Sequence, residues 1–186
     1  RPGRLDLKIR INRPEASDAT EIFGLYLTDD LPLDPHEVAK HGSADATLAA
    51  MISAAVAQLY ARTSANAYVA ATLDQGINTA DNPRLHEETL YRGDFVSGAV
   101  IRNIVDRAKK YAIKEHLSYT SSPPTGIAHE PQPEGITTRH LLEAVRAEFE
   151  DQVELPPLPD VEDALTVHGI RGRILSITPP HTATTP

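Results

Sequence analysis

The sequence predicts a mainly α protein with a small β component. Two stretches, residues 44–62 and the run after Ser97, repeat apolar residues at three and four, the period of a one-sided helix. Three short stretches alternate apolar and polar residues instead: 7–11, 67–73 and 173–178. Gly, Pro and acidic turns punctuate the chain between them. At 186 residues the chain is long enough for one ordinary domain with a fragment of another.

The elements follow in order. Arg1-Pro2-Gly3-Arg4 is a Pro-Gly turn presenting two arginines, and Leu7, Lys8, Ile9, Arg10 and Ile11 alternate as a short half-buried strand. Pro14 reads as the first residue of a helix with Glu15 in its first turn; Ala19, Ile22, Phe23, Tyr26 and Leu27 give its apolar face. Residues 36–41 are weakly patterned. Gly42-Ser43 then breaks the chain, and Ser43 or Asp45 caps the longest helix, whose stripe is Leu48, Ile52, Ala55, Val56 and Leu59, with Met51 as core filler.

Residues 67–73 read as a strand, 74–76 as a turn, and 88–91 as a strand pairing back, a hairpin over about 67–92. A lone two-stranded hairpin is marginal in water, so it should lean on the helices. Ser97 is a cap candidate for the helix buried through Val100, Ile101, Ile104, Val105, Ala108 and Ala112, with Arg102, Arg107, Lys109, Lys110 and Lys114 on a solvated face. Four prolines make 118–135 a loop. Thr137 caps the next helix, with Ile136 placed to staple against Leu141, and Leu141, Leu142, Val145 and Phe149 as its apolar stripe. After an extended connector, Asp160 caps a short helix to about Val167, residues 173–178 form a strand, and 179–186 read as a disordered tail.

Composition narrows the function. Net charge is -8, which argues against nucleic acid or an anionic membrane as partner. The chain has no cysteine, so a disulfide framework, a thiolate metal site and a cysteine nucleophile are excluded. Its eight histidines lack carboxylates at metal-ligand spacing, and no Ser/His/Asp arrangement is suggested. Gly-x-x-x-x-Gly-Lys-Ser/Thr is absent, as is an acidic pair closing an apolar strand, so the chain carries neither a phosphate cradle nor a magnesium site of that type. Arginine nevertheless suits phosphate recognition, because its planar fork stays charged and bonds bidentately.

Arg1-Pro2-Gly3-Arg4-Leu5-Asp6 resembles the end of the second region of homology in AAA ATPases. Pro14 to Leu33, and above all Asp94-Phe95-Val96-Ser97-Gly98-Ala99 and the helix after it to Ile113, are similar to one branch, the actinobacterial proteasome-associated (ARC-type) ring ATPases. The resemblance covers roughly residues 1–178 with one divergent insert. It implies the last strand of the AAA core followed by the helical AAA lid carrying a β-hairpin insert. Residues 1–13 would end the large subdomain, 14–152 form the lid, 153–178 a C-terminal extension and 179–186 the tail.

The resemblance also implies function. Arg1 and Arg4 would be trans arginine fingers reaching a phosphate bound by the neighbouring subunit, the catalytic residues of this chain. Ser97, Gly98 and Ala99 would face the adenine and ribose. ATP would be the cofactor, with Mg2+ bound by residues outside this chain. The partners would be a homohexamer, protein substrates carrying a ubiquitin-like tag, and the 20S proteasome core, in the cytoplasm. Lid and core would rotate about a hinge near Arg13-Pro14.

Two features bear on this. The chain lacks an initiator Met, as a fragment would, and without the phosphate cradle it should not turn over ATP alone. Proteasome-docking members end in Gly-Gln-Tyr-Leu, whereas this sequence ends His181-Thr182-Ala183-Thr184-Thr185-Pro186. A ring ATPase not coupled to a proteasome, and a non-catalytic helical interaction module, are therefore the alternative readings.

Overall fold

The computed structural model describes residues 12–76, 85–121, 134–150 and 155–180. Arg1, Arg4 and the strand expected at 7–11 lie outside the described residues, as do the hairpin tip at 77–84, most of the 118–135 loop and the end of the tail. The architecture is mainly helical with a small three-stranded antiparallel sheet. Its helices are α1 (Ala16–Tyr26), α2 (Pro35–His41), α3 (Ala44–Tyr60), α4 (Gly98–Ser121), α5 (Thr138–Glu150) and α6 (Leu158–Val167). Its strands are β1 (Ala67–Asp74), β2 (Leu85–Tyr91) and β3 (Arg173–Thr178), in the order β2-β1-β3.

The main core forms where the apolar faces of α1, α3, α4 and α5 meet. Phe23, Met51, Leu59, Ile101, Ile104, Val105, Leu141 and Val145 are buried there. The caps are those the residues suggested: the Ser43 side chain accepts from Ala46 N at 3.1 Å, and Thr137 Oγ1 accepts from His140 N at 3.3 Å.

Four local readings need correction. Pro14 is not the first helical residue. Its carbonyl accepts the Tyr60 hydroxyl at 2.8 Å, Glu15 stays extended, and α1 begins at Ala16. Residues 36–41 are a helix after all, started by Asp34, which accepts from His36 N at 2.9 Å, and by Pro35 at the first position. Gly42 ends it at φ 87°, a left-handed conformation that favours glycine. Asp160 does not cap α6: Pro157 precedes that helix and its carbonyl accepts from Asp160 N at 2.9 Å. The loop expected from residue 118 starts later, because α4 continues to Ser121.

The hairpin rests on more than helices. Antiparallel β1 and β2 pair from Asp74 opposite Leu85 to Ala67 opposite Tyr91, with a register shift between Val69 and Ala67, and β3 adds to the other edge of β1, with Ala70 opposite Thr178. Val69, Ala71, Leu73 and Leu90 from the sheet pack with Val161, Ala164 and Leu165 of α6 into a second core. Tyr68 joins the two cores, its ring 5.2 Å from Phe95 and 5.6 Å from Phe149, both edge-on.

A polar link ties α4 to α5. Glu115 receives Arg139 Nη2 at 2.6 Å and the imidazole of His140. His140 is buried, and its Nδ1 accepts from Thr137 N at 3.2 Å, so its Nε2 carries the proton given to Glu115. Burial alone would raise the Glu115 carboxyl, but the hydrogen bonds from Arg139 and His140 outweigh it and hold the group below its ordinary value of 4.5. A lowered carboxylate value means stability that is complete above that ordinary value and is lost as pH falls through the lowered one. Glu115→Gln is expected to lower the melting temperature by about 2–4 °C near neutral pH. The gap from the unsubstituted chain should close in acid, as calorimetry across that range would show.

Candidate functional site

The site begins where the chain passes from β2 into α4. Residues 92–95 form a short 3-10 turn, and each is fixed by a different contact. Asp94 Oδ2 accepts from Tyr91 N at 2.8 Å; Asp94 Oδ1 receives Arg62 Nη2 at 3.0 Å and His168 Nε2 at 2.9 Å. Arg62 also lies over the Tyr91 ring, 5.1 Å from its centroid. Gly93 packs on the end of α3, where an added Cβ would stand 3.2 Å from Tyr60 Cα and 3.3 Å from the Leu59 carbonyl oxygen. Phe95 and Val96 are buried, and Arg92 lies over the Phe149 ring.

The held turn delivers Ser97, Gly98 and Ala99 to the start of α4. Ser97 Oγ accepts from Val100 N at 3.3 Å and its carbonyl accepts from Ile101 N at 3.1 Å, the geometry of an N-cap. Like any first turn, this one presents N–H groups without intrahelical acceptors. Gly98 has neither of the usual structural reasons for glycine. Its φ is not positive, and a Cβ built on it meets nothing within 4 Å among the described residues. Close helix packing therefore does not explain it. Ala99 is exposed and Ser97 half-buried. The space beside the Gly98 Cα is open at a helix N-terminus, where a planar ring could approach the backbone.

The first described residues pack beside this point. Arg13 Nη1 donates to the Phe95 carbonyl at 2.9 Å and Nη2 to Asp160 on α6 at 3.0 Å. Burial, helped by Asp18, Asp94 and Glu15, pushes the Tyr60 phenol well above its ordinary value, so the donor to Pro14 stays protonated. Between the chain entry, Tyr60, Gly93, Asp94 and His168 lies a cleft of about 310 Å³.

The structure thus brings Ser97, Gly98 and Ala99 together on one surface, while Arg1 and Arg4 lie outside the described residues. Arg13, Tyr60, Arg62, Asp94 and His168 were not foreseen as partners, because their contacts span 32 to 147 residues of sequence except where neighbours meet. Among the described residues no group of three His, Asp or Glu could hold a metal ion, and no helix is long and apolar enough to cross a membrane.

Residues 14–179 match the family described as ARC, AAA+ ATPase lid domain. A protein of Rothia mucilaginosa (strain DY-18) named "AAA ATPase forming ring-shaped complexes" is 64% identical over 97% of this chain and 29% of its own length. One of the same name from Kocuria rhizophila is 45% identical over 92% of this chain and 26% of its own. A "Proteasome-associated ATPase" of Acidothermus cellulolyticus is 42% identical, again over 92% and 26%. The chain therefore spans less than a third of the curated relatives it matches.

Proposed function

The chain belongs to the ARC AAA+ ATPase lid family, and we propose that it is the C-terminal part of a hexameric AAA unfoldase, supplying the nucleotide-sensing lid and trans arginine fingers. Residues 1–13 close the large subdomain, 14–152 form the lid with its hairpin at 67–92, and 153–178 extend it with the strand that the sheet takes up. ATP supplies the phosphoryl transfer that drives unfolding, with Mg2+ held by residues outside this chain. Gly98 and Ala99 receive the adenine and ribose, Ser97 fixes the helix end beneath them, and Arg1 and Arg4 reach the neighbouring subunit's phosphate. This fragment alone is inactive, lacking the phosphate cradle. The full protein works in the cytoplasm on protein substrates bearing a ubiquitin-like tag and passes them to a 20S proteasome core.

The observation that carries this reading is the open backbone at Gly98, directly after a turn whose Gly93, Phe95 and Val96 are buried, and inside the matched family region. Gly98→Val in the full-length ring is expected to raise KM for ATP about tenfold, because a branched side chain occupies the space of the ring. The melting temperature should hold within about 2 °C, since a Cβ there meets nothing within 4 Å among the described residues. An unchanged KM would remove the nucleotide contact from the reading.

A ring ATPase not coupled to a proteasome is the second reading. The relatives at 64% and 45% identity are named for ring-shaped complexes and the one at 42% for the proteasome. Co-purification of the full-length ring with a 20S core separates the two.

A further inference from the structure

Helix α4 outruns the core it packs on. Its first half is buried through Ile101, Ile104, Val105 and Ala108, but near its end Ile113 and Leu117 are 60% and 58% exposed. Four residues apart, these two lie on one helix face. They border a groove of about 370 Å³ that Leu31, Pro32 and Ile136 also line. Lys110 and Lys114, each three residues before one of the pair, stand beside them and are exposed. An apolar surface flanked by cations, on a chain whose net charge is -8, calls for an apolar partner surface that carries acid. This chain has one. Where the connector enters α6, Leu155 and Leu158 are exposed, and so is Glu162, one turn on from Leu158. The two surfaces cannot meet within one subunit. Arg13 ties Asp160 to the Phe95 carbonyl, so α6 begins beside the start of α4, and the groove lies roughly 25 Å further along that helix at about 1.5 Å per residue. A contact between two different surfaces repeats head to tail from copy to copy, and closes as a ring when the rotation allows.

We propose that the groove beside Ile113 and Leu117 docks the Leu155 and Leu158 corner of a second copy of this chain, so that adjacent lids touch directly in the ring. The proposal rests on the reading that the full-length protein is a hexamer. Burial of the four apolar side chains supplies the driving force. Lys110 and Lys114 face Glu162 at the edge of the contact, where opposite charges set orientation and register more than strength.

The chain contains no cysteine, so introduced thiols report the contact directly. In the full-length protein, with any cysteine elsewhere in it replaced, Ile113→Cys or Leu117→Cys is combined in turn with Leu155→Cys or Leu158→Cys. All these positions are exposed within the subunit, so the melting temperature should hold within about 2 °C. Mild oxidation with ATP present is expected to give a ladder of cross-linked subunits, up to the full ring, in at least one double variant and in none of the single variants. A single variant that cross-links as strongly as the doubles reports two identical surfaces meeting, and overturns the head-to-tail contact. Assembled rings in which no double variant cross-links also overturn it; a groove filled from within its own subunit, or by a protein of another kind, gives that result. Size exclusion separates the two levels. Rings without cross-links remove the lid contact alone, whereas an unsubstituted protein that forms no ring removes the hexamer reading and the contact with it.

Discussion

In the full-length ring, Arg4→Ala is expected to reduce ATP turnover by about three orders of magnitude, with KM for ATP changed only a few-fold. The reason is where charge develops. As the γ-phosphoryl group transfers, negative charge spreads over its equatorial oxygens, and a guanidinium placed there from the next subunit stabilises that state more than it stabilises bound ATP. Arg1→Ala should fall in the same class, since both arginines flank one Pro-Gly pair in the sequence. Arg→Lys at either position should rescue little, because an ammonium cannot offer the planar pair of donors. Turnover that is unchanged in assembled rings would remove the finger assignment. Size-exclusion of each variant alongside the kinetics shows that assembly is intact.

Gly135→Ala is expected to destabilise the lid by about 3 kcal/mol, roughly 6–12 °C in melting temperature. An added Cβ would fall onto the Pro32 carbonyl oxygen and lie 2.6 Å from the Leu33 carbonyl carbon. Both obstacles are backbone, so no side-chain rotation relieves them. The two bridged segments must separate, and with them go Ile136 N to Pro32 O at 2.8 Å and Asp34 N to Ile136 O at 3.2 Å. The next contact is also exposed, because Glu37 of α2 receives Thr138 N at 2.8 Å and so caps α5 from outside. Gly24→Ala is the control. It meets nothing within 4 Å, and in a helix interior Ala should stabilise by up to about 1 kcal/mol. Thermal denaturation of both variants checks the pair. Equal melting temperatures would show that the 32–34 and 134–136 segments do not form this contact.

Much of the fold could be read from local pattern. The three-and-four spacing of Leu48, Ile52, Ala55, Val56 and Leu59, and of Ile101, Ile104, Val105 and Ala108, marks burial that the structure places in one core. Ser43, Ser97 and Thr137 cap as their side chains suggest, because capping is satisfied within three or four residues. The Asp34-Pro35 start of α2 carried the same kind of signal, but seven residues are too few for a periodic stripe. Long-range pairing was out of reach. Nothing in residues 173–178 states that they lie beside residues 70–74, nor does Arg13 announce Asp160 across 147 residues. The candidate site divides the same way. Ser97-Gly98-Ala99 stood out through resemblance to a family, whereas the clamp beneath it, built from Arg13, Tyr60, Arg62, Asp94 and His168, exists only once the chain is folded.

The most direct measurement is ATP turnover of mixed rings. One subunit type carries Arg1→Ala and Arg4→Ala with its phosphate-binding loop intact; the other keeps both arginines but cannot bind ATP. Each alone should be nearly inactive. Action in trans requires that an arginine-intact subunit beside an ATP-competent one complete a working site, so co-assembled mixtures should recover a substantial fraction of turnover, highest near equal proportions. Mixed rings that co-assemble yet stay as inactive as either parent would contradict it.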